Sequence, residues 1–468
     1  MKNLLWRNRS LDNKNRIMIV MLAGIFVRLL YVMLMPVTQF AQYDIGTVDI
    51  ENNVLTGHLG YVFWLVKYHA LPNFDPRLVY QFNHPPIHHI LSAIWVSFIA
   101  LFTDSTAALK EAAQYVTFVY SALTLFFFSK LLDETNAGEK GKLLAMIIFA
   151  FQPTLIMTAG SLNNDGAGLM FQVLSVWLTL RWHRTKSYKD IIGVALAIGL
   201  GMLSKLSAGL VAVPIGVLFI FDFVDEWVKS KKFPAKRMVQ YICFGAVCFP
   251  IGLCWVIRCY VKYGMPFTYI AFLPDTSPQY VGMYSGFQRM FLPNPIEFIK
   301  NLSHGSIGMG WNIWVQMFRT SALGECDLAA FPMVGKLICL AAMLINLVVA
   351  LWTFVAFFRE FVLLPCFGKS RKITDSDNVG IGYRERIFWI LSWLVMMYSY
   401  FSFAYTYPHE CSMNFRYVQF AIIPPLVAIS ARTKEKEENG VFKIARNIIT
   451  YAYVLCSISI VAIWCVCV

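Results

Sequence analysis

The sequence predicts an all-α protein that crosses a membrane many times. Of its 468 residues, 58% are hydrophobic and only 14% are charged, and the mean hydropathy is +0.57, far above the range of a soluble domain of this size. Apolar runs of about 17 to 25 residues, the length that spans a bilayer as a helix, recur along almost the whole chain. We therefore expect a single transmembrane domain over residues 1–468.

The first apolar run, residues 17–35, is typical of a retained signal anchor with a cytoplasmic N-terminus. Five basic residues precede it, namely Lys2, Arg7, Arg9, Lys14 and Arg16. The net charge of +13 would suggest nucleic acid as the partner of a soluble protein. In a membrane protein the positive-inside rule explains it more simply, so we expect membrane lipids as partners and no nucleic acid.

The basic clusters indicate which loops face outside. They lie at 1–16, 130–142, 181–189, 229–237, 368–386 and 431–436. If each cluster is cytoplasmic, the loops between them lie outside, and these are a first outer loop over 38–87, short segments at 163–166, 204–207 and 407–417, and a second large outer loop over 259–331. Most of the unusual polar residues fall in these outer loops.

Between the first outer loop and the basic cluster at 130–142, the topology allows one crossing, but two apolar runs are present. Residues 87–103 form the shortest run, include Ser92 and Ser97, and follow a proline pair that no helix continues through. We expect them to form a juxtamembrane or partly inserted helix, which gives about 11 transmembrane helices. The alternative is 12 to 13.

Several classes of site are excluded by composition and motifs. The 11 cysteines are scattered without a CxxC pair, which argues against a zinc site or a disulfide framework. No GxxxxGK[ST] loop is present, which argues against direct use of ATP.

Acidic residues follow the first span. A general base must be ionised and close to the proton that it removes, and Asp44, at the mouth of that span, is the best placed. Asp49 and Glu51 are kept as reserve candidates. All three are open to a second interpretation, as solvated loop charges.

Three isolated cations, Lys205, Arg258 and Arg416, end or begin apolar runs on the predicted outer face. Together they fit an anion site, because an isolated cation beside an apolar run is costly unless it reaches water or an anion, and Arg can hold an oxyanion with two donors. The alternative is that they are interfacial anchors, and for Lys205 a lysine that reaches up to the headgroups.

The remaining polar candidates have more than one interpretation. His84, His88 and His89 have poor spacing for zinc, so hydrogen bonding to the protein or to a substrate is favoured over a metal site. Asp165 could orient an acceptor, assist a metal ion, or cap the following helix together with Asn164.

Seven motifs in this order resemble the GT-C superfold, in the branch of the protein O-mannosyltransferases and the aminoarabinose transferases. They are YD (43–44), GHLGY (57–61), NHPPIHH (83–89), LNND (162–165), LSKLS (203–207), RCYVKYG (258–264) and NFRYVQF (414–420). The resemblance implies a GT-C-like helical bundle and a transferase that takes a sugar from a polyprenyl-phosphate-linked donor, with inversion, to an unknown lipid, glycan or protein acceptor. No cofactor is certain, because members of this family differ in whether they need a divalent metal ion.

The resemblance also implies roles for particular residues. Asp44 would be the catalytic base, and Lys205, Arg258 and Arg416 would bind the donor phosphate. Residues that would line the site or orient the acceptor are Tyr43, His58, His84, His88, Asn164, Asp165 and Tyr417. The second acidic residue usual after the first span is missing here, since Ile45 follows Asp44.

Two other functions stay open on the sequence. A transporter or flippase of a lipid-linked saccharide would usually show internal repeats and ionisable residues at mid-membrane, and we find neither a convincing repeat nor such a distribution. A polysaccharide polymerase also uses lipid-linked saccharides, although the long first loop with its HPP turn argues against it. The glycosyltransferase in the cell membrane, with its active site facing outside, is the favoured prediction.

Overall fold

The computed structural model describes residues 2–38, 42–135, 137–291, 293–303, 309–325, 331–364, 382–432 and 440–467. Within these ranges it describes the side chains from residue 14 onward, except those of 302–303, 432, 441–442 and 466–467. The described chain is almost entirely helical. The helices of its first half are α1 (Lys2–Leu34), α2 (Gly57–Tyr68), α3 (Ile87–Ile99), α4 (Thr106–Glu134), α5 (Glu139–Ala150), α6 (Pro153–Met157), α7 (Asp165–Thr185), α8 (Tyr188–Ser204), α9 (Ala212–Ser230) and α10 (Ala235–Tyr263). Those of the second half are α11 (Gly286–Met290), α12 (Pro295–Ser303), α13 (Ile313–Leu323), α14 (Met333–Phe357), α15 (Tyr383–Thr406), α16 (Ile423–Arg432) and α17 (Gly440–Cys467).

Seven helical segments in the described ranges are long and apolar enough to cross a membrane. They are Lys14–Leu34, Thr106–Glu134, Leu206–Ser230, Ala235–Tyr263, Met333–Leu363, Tyr383–Thr406 and Lys443–Cys465. The protein is therefore an all-α, multi-pass membrane protein, as the composition predicts. The count of about 11 crossings stays a prediction, because α5, α7, α8 and α16 are shorter or more polar than these seven.

The helices α7 and α8 lie at the centre of the bundle. Most residues of α7 are buried, and α8 packs against both α7 and α10. Small residues allow this close packing, as is common between membrane helices. A Cβ built on Gly201 of α8 would lie 2.9 Å from the Cβ of Phe171 in α7, so a larger residue at 201 would force the two helices apart.

The connection between α1 and α4 is a folded unit. It contains a two-stranded antiparallel hairpin, β1 (Val48–Asp49) and β2 (Val54–Leu55), then α2, a 3₁₀ turn at Pro76–Leu78 and α3. The helix α3 begins directly after Pro86 and ends at Ile99. At about 1.5 Å per residue, its 13 residues reach about 20 Å, which is less than the ~30 Å hydrocarbon core.

Two further loop regions meet beside this unit. The loop after α10 pairs with the segment after α15, since Tyr280 and His409 form a β-bridge and the amide of Val281 donates to the carbonyl of Pro408 at 2.9 Å. The segment after α15 then runs through consecutive 3₁₀ turns, Glu410–Met413, Phe415–Tyr417 and Gln419–Ile422, before α16. Of the predicted second large loop, 259–331, residues 292, 304–308 and 326–330 lie outside the described ranges, as does 368–381 of the basic cluster that follows α14.

Candidate active site

Asp44 is held at both of its carboxylate oxygens. The Tyr80 hydroxyl donates a hydrogen bond of 2.6 Å to Oδ1, and Nη2 of Arg416 lies 2.9 Å from Oδ2. The side chain is 27% exposed, so a face of the carboxylate stays open. Asp44 also has a φ of +57°, a left-handed conformation that is uncommon for residues other than glycine and is often found at functional sites.

The backbone around Asp44 explains how this conformation is fixed. The amide of His58 donates to the carbonyl of Asp44 at 3.1 Å, and the amide of Leu59 donates to that of Ile45 at 3.0 Å. Gly46 and Gly57 have φ values of +75° and +72°, and their backbones pass so closely that a Cβ on either would collide with the other segment. The start of α2 therefore locks the turn that presents Asp44.

Asp165 is the second carboxylate of the site and begins α7. Its own amide donates to Oδ1 of Asn163 at 2.9 Å, and Nδ2 of Asn164 donates to the carbonyl of Ser204 at 2.9 Å, which joins the start of α7 to the end of α8. One oxygen of Asp165 is paired with Lys205. The other lies 3.4 Å from Nη1 of Arg416, so the carboxylate, which is 3% exposed, bridges two cations.

Arg416 connects the two carboxylates. Its guanidinium lies between two aromatic rings, 4.5 Å from the centroid of Tyr43 and 4.6 Å from that of Tyr417. Oδ1 of Asn414 accepts from the backbone amide of Arg416 at 2.9 Å and so fixes the 3₁₀ turn that carries it. Only the planar guanidinium of arginine can contact two carboxylates and two aromatic rings in this way.

The electrostatic balance keeps Asp44 ionised. Burial raises the pKa of its carboxyl, but the charge of Arg416 and the hydrogen bonds from Tyr80 and Arg416 outweigh that effect, so the pKa lies below its ordinary value. Lys205 and Arg416 carry two positive charges against the two negative charges of Asp44 and Asp165. Within these four side chains the formal charges cancel, which is why they can be buried together.

The histidines lie in a second layer beside the carboxylates. Nδ1 of His58 and Nε2 of His89 are 2.9 Å apart, the rings of His58 and His84 stack at 5.1 Å, and those of His58 and His88 approach to 6.4 Å. His84 is close enough to Asp44 for the charge of each group to influence the pKa of the other. Among the residues that the structure describes, no group of His, Cys, Asp and Glu has the arrangement to hold a metal ion.

Arg258 is not brought into contact with the other two predicted phosphate ligands. Its Nη2 donates to the carbonyl of Pro72 at 2.6 Å, and its guanidinium lies 5.0 Å from the ring centroid of Trp255. Arg258 therefore joins the end of α10 to the loop between α1 and α4. Its predicted role in binding phosphate stays a prediction.

Four residues of the site were not singled out from the sequence. Tyr80 carried no signal, because a single tyrosine in an aromatic-rich loop resembles any interfacial residue. Asn163 and Asn414 lie inside the quoted motifs LNND and NFRYVQF, but their structural roles become evident only from the turns that they stabilise. Glu325, an outer-loop carboxylate without an assigned role, accepts a hydrogen bond of 2.9 Å from Nδ2 of Asn414 at the edge of this cluster.

A family comparison covers the middle of the chain. Residues 83–251 match the family model described as dolichyl-phosphate-mannose-protein mannosyltransferase. The matched segment is less than half of the chain and contains the motifs NHPPIHH, LNND and LSKLS, but not Asp44 or Arg416. The family resemblance drawn from the motifs is confirmed over these residues.

Comparisons with whole proteins add two structures. The chain is similar to the crystal structure of ArnT from Cupriavidus metallidurans bound to undecaprenyl phosphate, with 12% identity and a TM-score of 0.41 over 96% of this chain and 77% of that one. It is also similar to the same protein in the apo state, with 12% identity and a TM-score of 0.37 over 94% and 77%. No curated protein matches the sequence.

Proposed function

We propose that this protein is a membrane glycosyltransferase that moves a sugar from a polyprenyl-phosphate-linked donor to an acceptor at the outer face of the membrane, with inversion. The observation that carries the proposal is the position of Asp44, an ionised and partly exposed carboxylate in contact with Arg416, whose guanidinium also contacts Asp165, the partner of Lys205. A base next to fixed positive charge is what transfer from a phosphate requires. The description of the matched family, which names a dolichyl-phosphate-linked sugar, agrees with it.

The cation side of the site has unused hydrogen-bonding groups. A small cavity is lined by Lys205, Arg416 and Gln419, among others. Nε of Arg416 and both polar side-chain atoms of Gln419 are buried and have no hydrogen-bond partner in the part of the chain that the structure describes. Buried polar atoms without partners are costly, so the two donors among them, Nε of Arg416 and Nε2 of Gln419, favour a ligand with acceptor oxygens, such as the donor phosphate.

In this mechanism Asp44 takes the proton from a hydroxyl group of the acceptor. The acceptor oxygen attacks the anomeric carbon of the donor sugar, the bond from that carbon to the phosphate oxygen breaks, and its electron pair leaves with the polyprenyl phosphate. Lys205 and Arg416 stabilise the negative charge that grows on the phosphate. Attack from the side opposite the leaving group inverts the anomeric configuration.

The outer location is supported by charge at the two ends of the helices. The candidate site lies at the start of α7 and the end of α8. The opposite ends of these helices carry a basic-rich cluster, in which Lys186 and Arg384 pair with Asp222 and Arg237 pairs with Glu226 at 2.9 Å. By the positive-inside rule that end faces the cytoplasm, so the site faces outside.

The test is a transfer assay with purified protein. A radiolabelled polyprenyl-phosphate sugar is supplied with an extract of the cell envelope, and wild type is compared with Asp44→Asn. We expect label to move from lipid to an acceptor with the wild type and a loss of about 10²–10⁴-fold in the variant, the usual contribution of a general base.

Asp49→Asn serves as the matched control, because Asp49 lies in the same loop and its carboxylate accepts hydrogen bonds from the backbone and side chain of Asn52. Equal transfer by wild type and Asp44→Asn would refute the base assignment, and so would a loss confined to Asp49→Asn. Movement of the labelled lipid across vesicles without any transfer would favour the flippase, and growth of a saccharide polymer on the lipid would favour the polymerase.

A further inference from the structure

A cavity of about 310 Å³ is lined in part by Tyr80, the residue whose hydroxyl donates to Asp44. It is formed by two loops that are far apart in sequence, the segment 76–83 between α1 and α4 and the segment 269–272 after α10. The lining residues that matter here are Arg77, Tyr80, Gln81, Asn83, Tyr269 and Phe272. Among these six residues, Asn83 alone belongs to one of the sequence motifs, NHPPIHH.

Tyr80 connects the cavity to Asp44. Its ring lines the cavity, and its hydroxyl donates to Oδ1 of Asp44 at 2.6 Å. The other oxygen of Asp44 contacts Arg416, so the carboxylate stands between the cation side of the site and this cavity. A base that activates an acceptor against a donor must stand between the two substrates.

The lining is polar but carries no unpaired charge. The one charged side chain is Arg77, and its Nη2 is already paired with Asp75 at 2.6 Å and donates to the carbonyl of Tyr263 at 2.8 Å. The other polar groups are the amides of Gln81 and Asn83 and the hydroxyls of Tyr80 and Tyr269. An anionic or cationic ligand would find no free counter-ion among these lining residues.

Exposed aromatic rings supply the rest of the surface. Phe272 is 68% exposed and Tyr80 is 44% exposed. Flat apolar rings beside amide and hydroxyl groups suit a ligand that has both apolar C–H faces and hydroxyl groups. A sugar ring combines these properties without a charge.

The frame of the cavity is fixed by contacts with α10. Nε1 of Trp255 donates to the carbonyl of Asn83 at 3.1 Å. Gln81 has a φ of +65°, a conformation that a residue with a side chain adopts only when its surroundings hold it there. The cavity is therefore a built feature of the fold.

We propose that this cavity binds the acceptor and that the acceptor presents an uncharged sugar ring, one hydroxyl of which reaches Asp44 past Tyr80. The proposal rests on the glycosyltransferase function proposed above. It assigns the donor to the Lys205 and Arg416 side and the acceptor to the Tyr80 side. It also excludes acceptors that bind here through a phosphate or an amine.

A labelling experiment tests the ligand class without any transfer reaction. In purified full-length protein, Ala271→Cys places a thiol beside the cavity, and its reaction with a maleimide is followed in the presence of neutral methyl glycosides, inorganic phosphate or ethanolamine. Because native cysteines such as the exposed Cys254 also react, labelling is quantified by mass spectrometry on the peptide that carries residue 271. We expect at least one methyl glycoside to slow labelling by about threefold or more and the two ions to have no effect. Asp275→Cys, in the same loop but outside the lining, should label at an unchanged rate.

Protection by phosphate or ethanolamine alone, or protection by no probe, would overturn the inference. These outcomes do not depend on transfer, so they are separate from failure of the proposed function.

A kinetic experiment tests the position of the acceptor. With the labelled donor and envelope extract, Phe272→Ala should raise the KM for the acceptor by about tenfold and leave the KM for the donor unchanged. Phe267→Ala is the matched control, because Phe267 is an exposed ring of the same loop that packs on Tyr260. An effect of Phe272→Ala on the donor KM alone would assign the cavity to the donor and contradict the proposal. Absence of transfer in wild type would instead count against the function itself.

Discussion

Arg416 and Asp44 are joined by a contact of 2.9 Å between Nη2 and Oδ2, although 372 positions separate them in the chain. The same guanidinium contacts Asp165. In the free protein, therefore, two carboxylates occupy Nη2 and Nη1 of the arginine that the proposed mechanism assigns to the phosphate, whereas its Nε has no partner among the described residues. The phosphate of a sugar donor that binds Nη1 or Nη2 must compete with these carboxylates. This competition changes the pKa of Asp44, the proposed base.

Donor binding should make Asp44 a stronger base. Arg416 holds the pKa of Asp44 below its ordinary value, and a phosphate that takes up the arginine also adds negative charge, so both effects raise that pKa. In pH–rate profiles, kcat/KM reports the free enzyme and kcat reports the complex. We expect the acidic limb of kcat to lie at higher pH than that of kcat/KM for the donor, by about one unit or more, the size of shift that a nearby charge causes.

Measurement of both profiles between pH 3 and 8 on the same preparation provides the check. Limbs that coincide, or a kcat limb at lower pH, would mean that the donor does not displace Asp44 from Arg416. The profile of Asp49→Asn should match that of wild type.

Replacing Arg416 should reduce stability as well as transfer. In Arg416→Met, Asp165 keeps only Lys205 as a partner, and Asp44 keeps only the Tyr80 hydroxyl. Removing one partner of a buried ion pair costs about 3–5 kcal/mol, and the partial exposure of Asp44 places the expected cost at the lower end. Arg416→Lys should restore part of the stability but little of the transfer. One ammonium group cannot reproduce the contacts of a planar guanidinium with two carboxylates and two aromatic rings.

Thermal unfolding in detergent and transfer by the folded fraction would be measured side by side. Adding Asp165→Asn to Arg416→Met should recover stability without recovering transfer, since the uncompensated charge is removed but the phosphate ligand is still missing. Lys229→Met is the control, because Lys229 forms an exposed pair with Asp225, and such pairs contribute little. If Arg416→Met leaves the unfolding temperature unchanged, the four charges do not form a coupled unit.

The helical, multi-pass architecture and the residue types of the site were predictable because both depend on local signals. Composition and run length identify spans, and Asp44, Asp165, Lys205 and Arg416 are charged residues at the ends of apolar runs, which is unusual enough to mark them individually. Their pairing was not predictable, since contacts between residues 44, 165 and 416 depend on how the helices pack. Arg258 occupies the same kind of position in the sequence as Lys205, yet its guanidinium contacts a carbonyl in the loop before α3.

Helix ends that lie inside apolar runs were also not predictable from hydropathy. The helix α5 stops at Ala150 because Gln152 accepts from the amide of Leu155 and Pro153 starts a new helix, a local signal inside a run that hydropathy treats as continuous. Arg28 lies within the first apolar run, which hydropathy also treats as continuous, so this residue was not singled out from the sequence. In the structure it is 1% exposed.

Arg28 provides a third prediction, about stability. Its Nη1 donates to the carbonyl of Ala150 at 2.6 Å and to that of Gly24 at 3.0 Å, and its Nε donates to the Ser121 hydroxyl at 2.9 Å. It thereby satisfies a carbonyl at the end of α5 that has no partner within its own helix. We expect Arg28→Met to destabilise the protein by roughly 1–3 kcal/mol, the cost of leaving a buried acceptor without a partner, and to leave the activity of the folded fraction within a few fold.

Thermal unfolding and transfer per folded molecule would separate stability from catalysis. Arg28→Lys should lie between wild type and Arg28→Met, and Lys14→Met, at an exposed position of the same helix, should behave as wild type. Loss of transfer at unchanged stability would show instead that Arg28 acts on a substrate.

The histidine layer predicts that the protein is destabilised by mild acid. Burial lowers the pKa of His84 from its ordinary value of about 6.5 to about 4, and burial together with the neighbouring histidines lowers the pKa of His58 well below its ordinary value. Between these values and pH 6.5 the unfolded chain binds protons that the folded protein does not. Stability is therefore complete above about pH 6.5 and falls as the pH drops toward 4, by up to about 3 kcal/mol for His84 alone.

Thermal unfolding measured at pH steps from 7.5 to 4.5 would show this as a falling midpoint. His84→Gln should reduce the slope below pH 6.5, because the substituted side chain takes up no proton in either state, whereas His69→Gln, at an exposed position, should leave it unchanged. A midpoint that is constant over this range, or that rises on acidification, would mean that the histidines become protonated in the folded protein. The face of the site beside Asp44 would then be positively charged at acidic pH. That result would contradict the prediction that these histidines stay neutral in the folded protein.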